Sequence, residues 1–138
     1  PVVIHGDGET TRDFCHISNV VQANLLAAMA DDSAAINQIY NVAVGGRMSL
    51  NDLFNSLRGL LVERHPTLGI ADPIHEDFRP GDVRHSQADI GKAARLLGYQ
   101  PTQDVRSGLR LALPWYEGRP ASPAVGRTQE MQDVRGVA

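Results

Sequence analysis

Apolar residues recur at helical spacing in four stretches of this 138-residue chain, with short β-branched runs between them. The strongest pattern is Leu50, Leu53, Phe54, Leu57, Leu60 and Leu61. These fall on one face of a helix that Ser49 opens with Asp52 three residues on, a capping-box-like start. That face is predicted to be core. A second helix, capped at Ser18 or Asn19 and running to about Ala30, would carry Val21, Leu25, Ala28 and Met29 as its apolar face. A short third one, capped by Asp89, gathers Ile90, Ala93, Ala94 and Leu97, and Gly98 stands where a left-handed residue would end it. The last starts at Asp104 and carries Val105, Leu109, Ala112, Leu113 and Tyr116, with Pro114 expected to end or kink it.

Extended segments are expected at Val2–His5, stopped by Gly6-Asp7-Gly8, at Cys15–Ile17, and at Gln38–Ala43 before the Gly45-Gly46 turn. From Gly118 onward the chain turns polar, with Pro120 and Pro123 and no periodicity, which predicts a disordered tail over 118–138. Helices interspersed with few strands indicate an α/β lobe over 1–117 whose small sheet docks on something larger. Pro1 leads directly into Val2-Val3-Ile4, and the expectation is a C-terminal fragment with apolar surface that would favour self-association by itself.

A hydrophobic fraction of 42% suits one modest core, and a formal charge of -3 without a basic run argues against nucleic acid. No apolar stretch approaches the roughly 20 residues of a membrane-spanning helix. The single Cys15 has no internal disulfide partner, which favours a reducing compartment, the cytoplasm. Lys92 is the one lysine, so any Schiff base would have to use it.

Two polar turns carry candidate chemistry. Arg12 follows Gly6-Asp7-Gly8 in a segment with neither helical nor strand periodicity, and its guanidinium either forks onto phosphate oxygens or pairs with Asp13 or another carboxylate. Arg79-Pro80-Gly81-Asp82 is a good β-turn sequence whatever its purpose; in a binding role Arg79 would contact phosphate, with Asp82 orienting it or accepting from ribose hydroxyls. The histidines His5, His16, His65, His75 and His85 form no His-x-x-x-His pair, so no metal site is expected. Nothing assignable activates Cys15. Phe14, Phe78 and Tyr99 could each stack on a base or pack in the core. No glycine-rich dinucleotide fingerprint and no Tyr-x-x-x-Lys pair occurs, so neither cofactor-binding nor catalytic residues are expected here.

In order and spacing, five segments form one pattern: Gly6-Asp7-Gly8, Thr11-Arg12-Asp13-Phe14, Tyr40-Asn41-Val42-Ala43-Val44-Gly45, Arg79-Pro80-Gly81-Asp82, and Ala88-Asp89-Ile90-Gly91-Lys92-Ala93. Over about residues 1 to 117 they resemble the C-terminal part of the extended short-chain dehydrogenase/reductases, the nucleotide-sugar epimerases and dehydratases. Within that family the likeness is greatest to bacterial UDP-N-acetylglucosamine 4-epimerases of surface-polysaccharide synthesis. Ser18-Asn19 stand where the family commonly has two acidic residues, and Gln87 replaces a usually apolar one.

The resemblance implies a substrate-binding lobe without most of its Rossmann domain, NAD being held by an N-terminal domain outside this chain. It implies that Arg12 and Arg79 bind the UDP diphosphate, that Asp82 contacts the ribose, and that small Ser86 leaves room for an N-acetyl group. The expected activity of the full-length protein is 4-epimerisation of UDP-N-acetylglucosamine or UDP-glucose, as a homodimer. The chain alone is expected to be inactive. Another epimerase, a dehydratase, a decarboxylase or a non-catalytic nucleotide-sugar-binding remnant would share the same lobe.

Overall fold

A computed structural model describes residues 1–118, so the tail expected over 118–138 lies, apart from Gly118, outside the described residues. The mixed α/β character read from the sequence is present. Strand β1 (Val3–His5) lies parallel to β4 (Ile74–Glu76), with Val3 opposite Ile74 and His5 opposite Glu76. Strand β2 (Thr11–Arg12) runs antiparallel to β3 (Met48–Ser49), and a bridge from Thr11 to His85 adds the segment after β4. Around these two ladders stand α1 (Ile17–Ala28), α2 (Leu50–Arg64), α3 (Gly91–Leu97) and α4 (Val105–Glu117). Among the described residues no helix is long and apolar enough to cross a membrane.

Helix α2 starts as its sequence dictates: the Asp52 amide donates to Ser49 Oγ at 3.0 Å and the Ser49 hydroxyl donates to the Asp52 carboxylate at 2.7 Å. In α3 the Asp89 carboxylate accepts from the Gly91 amide at 2.8 Å, while Ile90 occupies the cap position. Gly98 closes that helix at φ 67°, the left-handed conformation expected of it. Helix α4 runs three residues past Pro114, so of the two expected outcomes Pro114 does not end it. Pro114 is exposed, so the carbonyl deprived of its partner can meet water.

Two other expectations are overturned. Residues Cys15 and His16 are irregular and Ile17 already belongs to α1, because His16 rather than Ser18 or Asn19 caps the helix, its imidazole accepting from the Ser18 amide. The extended piece is Thr11–Arg12, which has Met48–Ser49 as a partner. Gln38–Ala43 joins no ladder; strand-forming composition needs a neighbouring strand, and the described residues supply none there, leaving Ile39 88% exposed. The apolar face expected of α1, Val21, Leu25, Ala28 and Met29, is present and exposed. Helix α1 instead buries Asn19 and Ala23, meeting α3 through small side chains.

The core is a cluster of Ala23, Ala93 and Tyr99, flanked by Leu26, Tyr40, Val42 and Ile90. The Tyr99 hydroxyl donates to the Ala43 carbonyl at 2.8 Å; burial first, then neighbouring Cys15, pushes its phenol up to about 12. Fully buried Asn19 ties α1 to the loop before α4. Its amide donates to the Gln103 carbonyl at 2.8 Å, and its oxygen accepts from the Thr102 and Gln103 amides at 3.0 and 3.1 Å. The carboxylate of Asp13 accepts three backbone amides, from Val44 at 3.1 Å, Gly45 at 3.0 Å and Ala88 at 3.3 Å.

Hydrogen bonds to a charged acceptor contribute about 1.5–3 kcal/mol each, but the amides released by a truncation regain water in part. Urea denaturation should therefore find Asp13→Ala about 3 kcal/mol less stable than wild type, and Asp13→Asn less affected because its one oxygen still accepts. Asn19→Ala, which strands three part-buried backbone groups that regain water only incompletely, is expected to cost about 1–3 kcal/mol.

Candidate functional site

Strand β1 uses one edge only. The Ile74 amide donates to the Val2 carbonyl at 2.9 Å and the Gly6 amide to the Glu76 carbonyl at 2.8 Å. Residues 2, 4 and 6 thus turn toward β4, and by strand alternation the amides and carbonyls of Val3 and His5 point to the other edge. Along β1 lies a cavity of about 270 Å³, lined by Val2–His5, by Leu50, Leu53, Phe54 and Leu57 of α2, and by Arg79 and Asp82. The α2 stripe predicted to be core is therefore largely the wall of an opening, with Leu60 alone on it fully buried. A three-residue strand cannot cover six large side chains, and that mismatch is the signal by which the sequence could have disclosed the cavity.

The turn that carries Arg79 is closed by the Asp82 amide, which donates to the Arg79 carbonyl at 3.2 Å, and by Gly81 at φ 79°. Arg79 is exposed at the cavity, and its guanidinium has no acceptor among the described residues. Half-buried Arg12 reaches the same place from β2. Its Nη2 lies 2.5 Å from Asp82 Oδ1, and its Nη1 donates to the Thr11 carbonyl at 2.9 Å and the Arg84 carbonyl at 3.5 Å. Asp82 thus pairs with Arg12, offsets its charge, and leaves Arg79 as the cavity's cation without a carboxylate partner among the described residues. Asp13 is fully occupied with amides and takes no part in that pairing.

Ser86 sits beside this pair without lining the cavity: its amide donates to the Thr11 carbonyl at 3.1 Å and its side chain is exposed. Of the aromatic candidates, Tyr99 is core, and Phe14 borders two other cavities, of about 230 and 280 Å³. Phe78 packs over Gly6, where a Cβ would come within 2.3 Å of its ring. The aromatic side chain of the first cavity is Phe54, which sequence reasoning placed in the core; the Arg58 guanidinium lies 5.2 Å from its ring centre.

The loop after β1 is held from the far side by Arg84. Its Nη2 donates to Asp7 Oδ2 at 2.6 Å, and its guanidinium lies 5.3 Å from the centre of the Phe78 ring. The Arg84 hydrogen bond, followed by the Glu9 amide, holds the Asp7 carboxyl below its ordinary value of 3.8. Asn51 completes the loop by donating to the Asp7 carbonyl at 3.0 Å and the Glu9 carboxylate at 2.8 Å.

The family model described as GDP-mannose 4,6 dehydratase matches residues 1–112. Among solved structures, the chain resembles the UDP-glucose 4-epimerase of Thermotoga maritima with UDP-glucose, at 35% identity and a TM-score of 0.70, covering 84% of this chain and 34% of that one. It also resembles the UDP-N-acetylglucosamine 4-epimerase of Methanobrevibacter ruminantium M1 in complex with UDP-N-acetylmuramic acid, at 34% identity and a TM-score of 0.72, with coverage of 84% and 34%. The UDP-glucuronic acid 4-epimerase of Bacillus cereus in complex with UDP-glucuronic acid and NAD is 25% identical, with a TM-score of 0.66 over 85% of this chain and 35% of that one. The chain spans about a third of the length of the curated relatives it matches.

Because the folded pKa of Asp7 is lowered, its ion pair with Arg84 is intact above the usual carboxylate range and is lost only as pH falls through the depressed value. Carboxyl NMR should find Asp7 titrating below 3.8, and in Arg84→Ala its midpoint should rise toward that value while the Glu9 amide still holds it somewhat down.

Proposed function

This chain belongs to the extended short-chain dehydrogenase/reductase family, and we propose that it forms the UDP-sugar-binding part of an NAD-dependent 4-epimerase acting on UDP-glucose and UDP-N-acetylglucosamine. The observation that carries this reading is Arg79, without an acceptor among the described residues, at a cavity whose inner wall is apolar and whose other charged lining residue, Asp82, is paired with Arg12. An apolar slot with a few convergent polar groups suits a base, and an open guanidinium beside it suits a phosphate.

The nucleotide base lies between α2 and β1, against Phe54 and Leu57, where the turned-out amides and carbonyls of Val3 and His5 can read its edge. Arg79 forks onto the diphosphate. Arg12, held in its strand by two carbonyls, contributes the second cation, and Asp82 accepts from a ribose hydroxyl while keeping Arg12 in place. Ser86, next to Arg12's strand, faces the sugar, and its small side chain accommodates an N-acetyl group.

No residue of this chain is assigned to NAD. Its glycine turn at Gly6–Gly8 is filled by Phe78 and by Asn51, whose atoms would lie 2.3 and 2.0 Å from added Cβ atoms, which leaves no cradle for a pyrophosphate. The cofactor is therefore assigned to another part of the full-length protein, where it supplies reversible hydride acceptance from the sugar. The exposed apolar stripe of α1 is the face such a part would cover. A homodimer in the cytoplasm, serving surface-polysaccharide synthesis, completes the reading. A dehydratase of the same family is the second reading, favoured by the description of the matching family model.

Arg79→Ala and Arg12→Ala in the full-length protein should each weaken UDP binding by about ten- to a hundredfold, as loss of a charge-assisted contact implies, with unchanged circular dichroism. Unaltered binding in the double variant would remove the clamp. Full-length protein assayed with UDP-N-acetylglucosamine and UDP-glucose should interconvert each with its 4-epimer, and Ser86→Tyr should selectively abolish the reaction of the acetylated sugar. Absence of any interconversion would shift the assignment to a dehydratase-type activity.

A further inference from the structure

We infer that Arg84, Asp7 and Phe78 form a latch that sets the position of the Arg79–Asp82 turn over the cavity, making Arg84 a positioning residue for nucleotide binding; this rests on the nucleotide-sugar reading of the site. Apart from its own Asp82–Arg79 backbone hydrogen bond and the pairing of Asp82 with Arg12, the turn has little else to hold it. Residues 76 to 87 are exposed, and Gly81 packs against nothing. A turn of that kind would sample many orientations, and an arginine carried on it would lose affinity to the entropy of being fixed.

Arg84 limits that freedom at both ends. Its guanidinium, 5.3 Å from the centre of the Phe78 ring, links the residue just before the turn with the residue two beyond it, so that 78–84 closes on itself. The 2.6 Å contact of Nη2 with Asp7 then pins this closed loop to the segment that follows β1. Phe78 adds a second attachment by packing on Gly6. The backbone of Arg84 is fixed as well, its carbonyl accepting from the Thr11 amide at 2.9 Å and from Arg12 at 3.5 Å. One residue therefore registers the Arg79 turn against both β1, which walls the cavity, and β2, which carries Arg12. None of its own polar atoms lines the cavity, so it acts through Arg79 and Asp82.

The test uses the full-length protein with UDP as the probe, measured by titration calorimetry, with the melting temperature recorded for each variant. Arg84→Ala should weaken UDP binding about tenfold and, because the Asp7 pair is exposed, shift the melting temperature by no more than about 2 °C. With a turned-over UDP-sugar, KM should rise about tenfold at unchanged kcat, since the turn holds ground and transition states alike. Exchanging the pair, Asp7→Arg with Arg84→Asp, restores the ion pair but not the contact with Phe78 and should recover part of the lost affinity, whereas either single reversal should recover none. Undiminished affinity in Arg84→Ala beside a wild type that binds UDP overturns the latch alone. Loss of affinity that tracks a fall in melting temperature in both Arg84→Ala and the milder Asp7→Asn also overturns it. A wild type that does not bind UDP overturns the site reading and the latch with it.

Discussion

The carboxylate of Asp13 fixes three segments that regular secondary structure leaves almost unsupported. The two ladders of the lobe involve strands of two or three residues, too short to orient long connections. By accepting amides from Val44, Gly45 and Ala88, Asp13 replaces sheet hydrogen bonds with charge-assisted ones and draws the segments before β3 and before α3 onto the end of β2. Its neighbour Arg12 points elsewhere, as alternation along an extended chain requires, and reaches Asp82. A single dipeptide thus performs two tasks, one holding the scaffold and one pairing with a carboxylate that lines the cavity.

Where local chemistry decides structure, the sequence was readable. Ser49 with Asp52, Asp104 as the cap of α4 and Gly98 after α3 each act within a few residues of themselves, and each stands where the pattern puts it. The misreadings share a different cause. An apolar stripe reports that a face avoids water but not what covers it: Val21, Leu25 and Met29 face outward while Asn19, a polar residue, is buried with every amide atom satisfied. Gln38–Ala43 has the composition of a strand and lacks the neighbour that would make it one.

The site shows the same division. Arg12, Arg79 and Asp82 were visible as loop or turn polar residues; the fold puts Arg79 and Asp82 at one cavity and Arg12 at another, and the pairing of Asp82 with Arg12 that joins them depends on contacts seventy residues apart in sequence. The hydrophobic wall was misjudged because Leu50, Leu53, Phe54 and Leu57 look the same in sequence whether they meet protein or a ligand. Asp7 and Arg84, each alone an ordinary loop charge, acquire meaning only through their contact.

Lys92 has a consequence of its own. It is the one lysine of the chain, its ammonium donating to the Gln38 side chain at 2.7 Å and lying 5.4 Å from the centre of the Tyr40 ring. It therefore marks the seam between α3 and the Gln38–Ala43 segment. Acylation there would remove the cation and both contacts. In this chain an amine-directed reagent thus has a single side-chain target, and its rate of reaction would report whether that seam is open or closed.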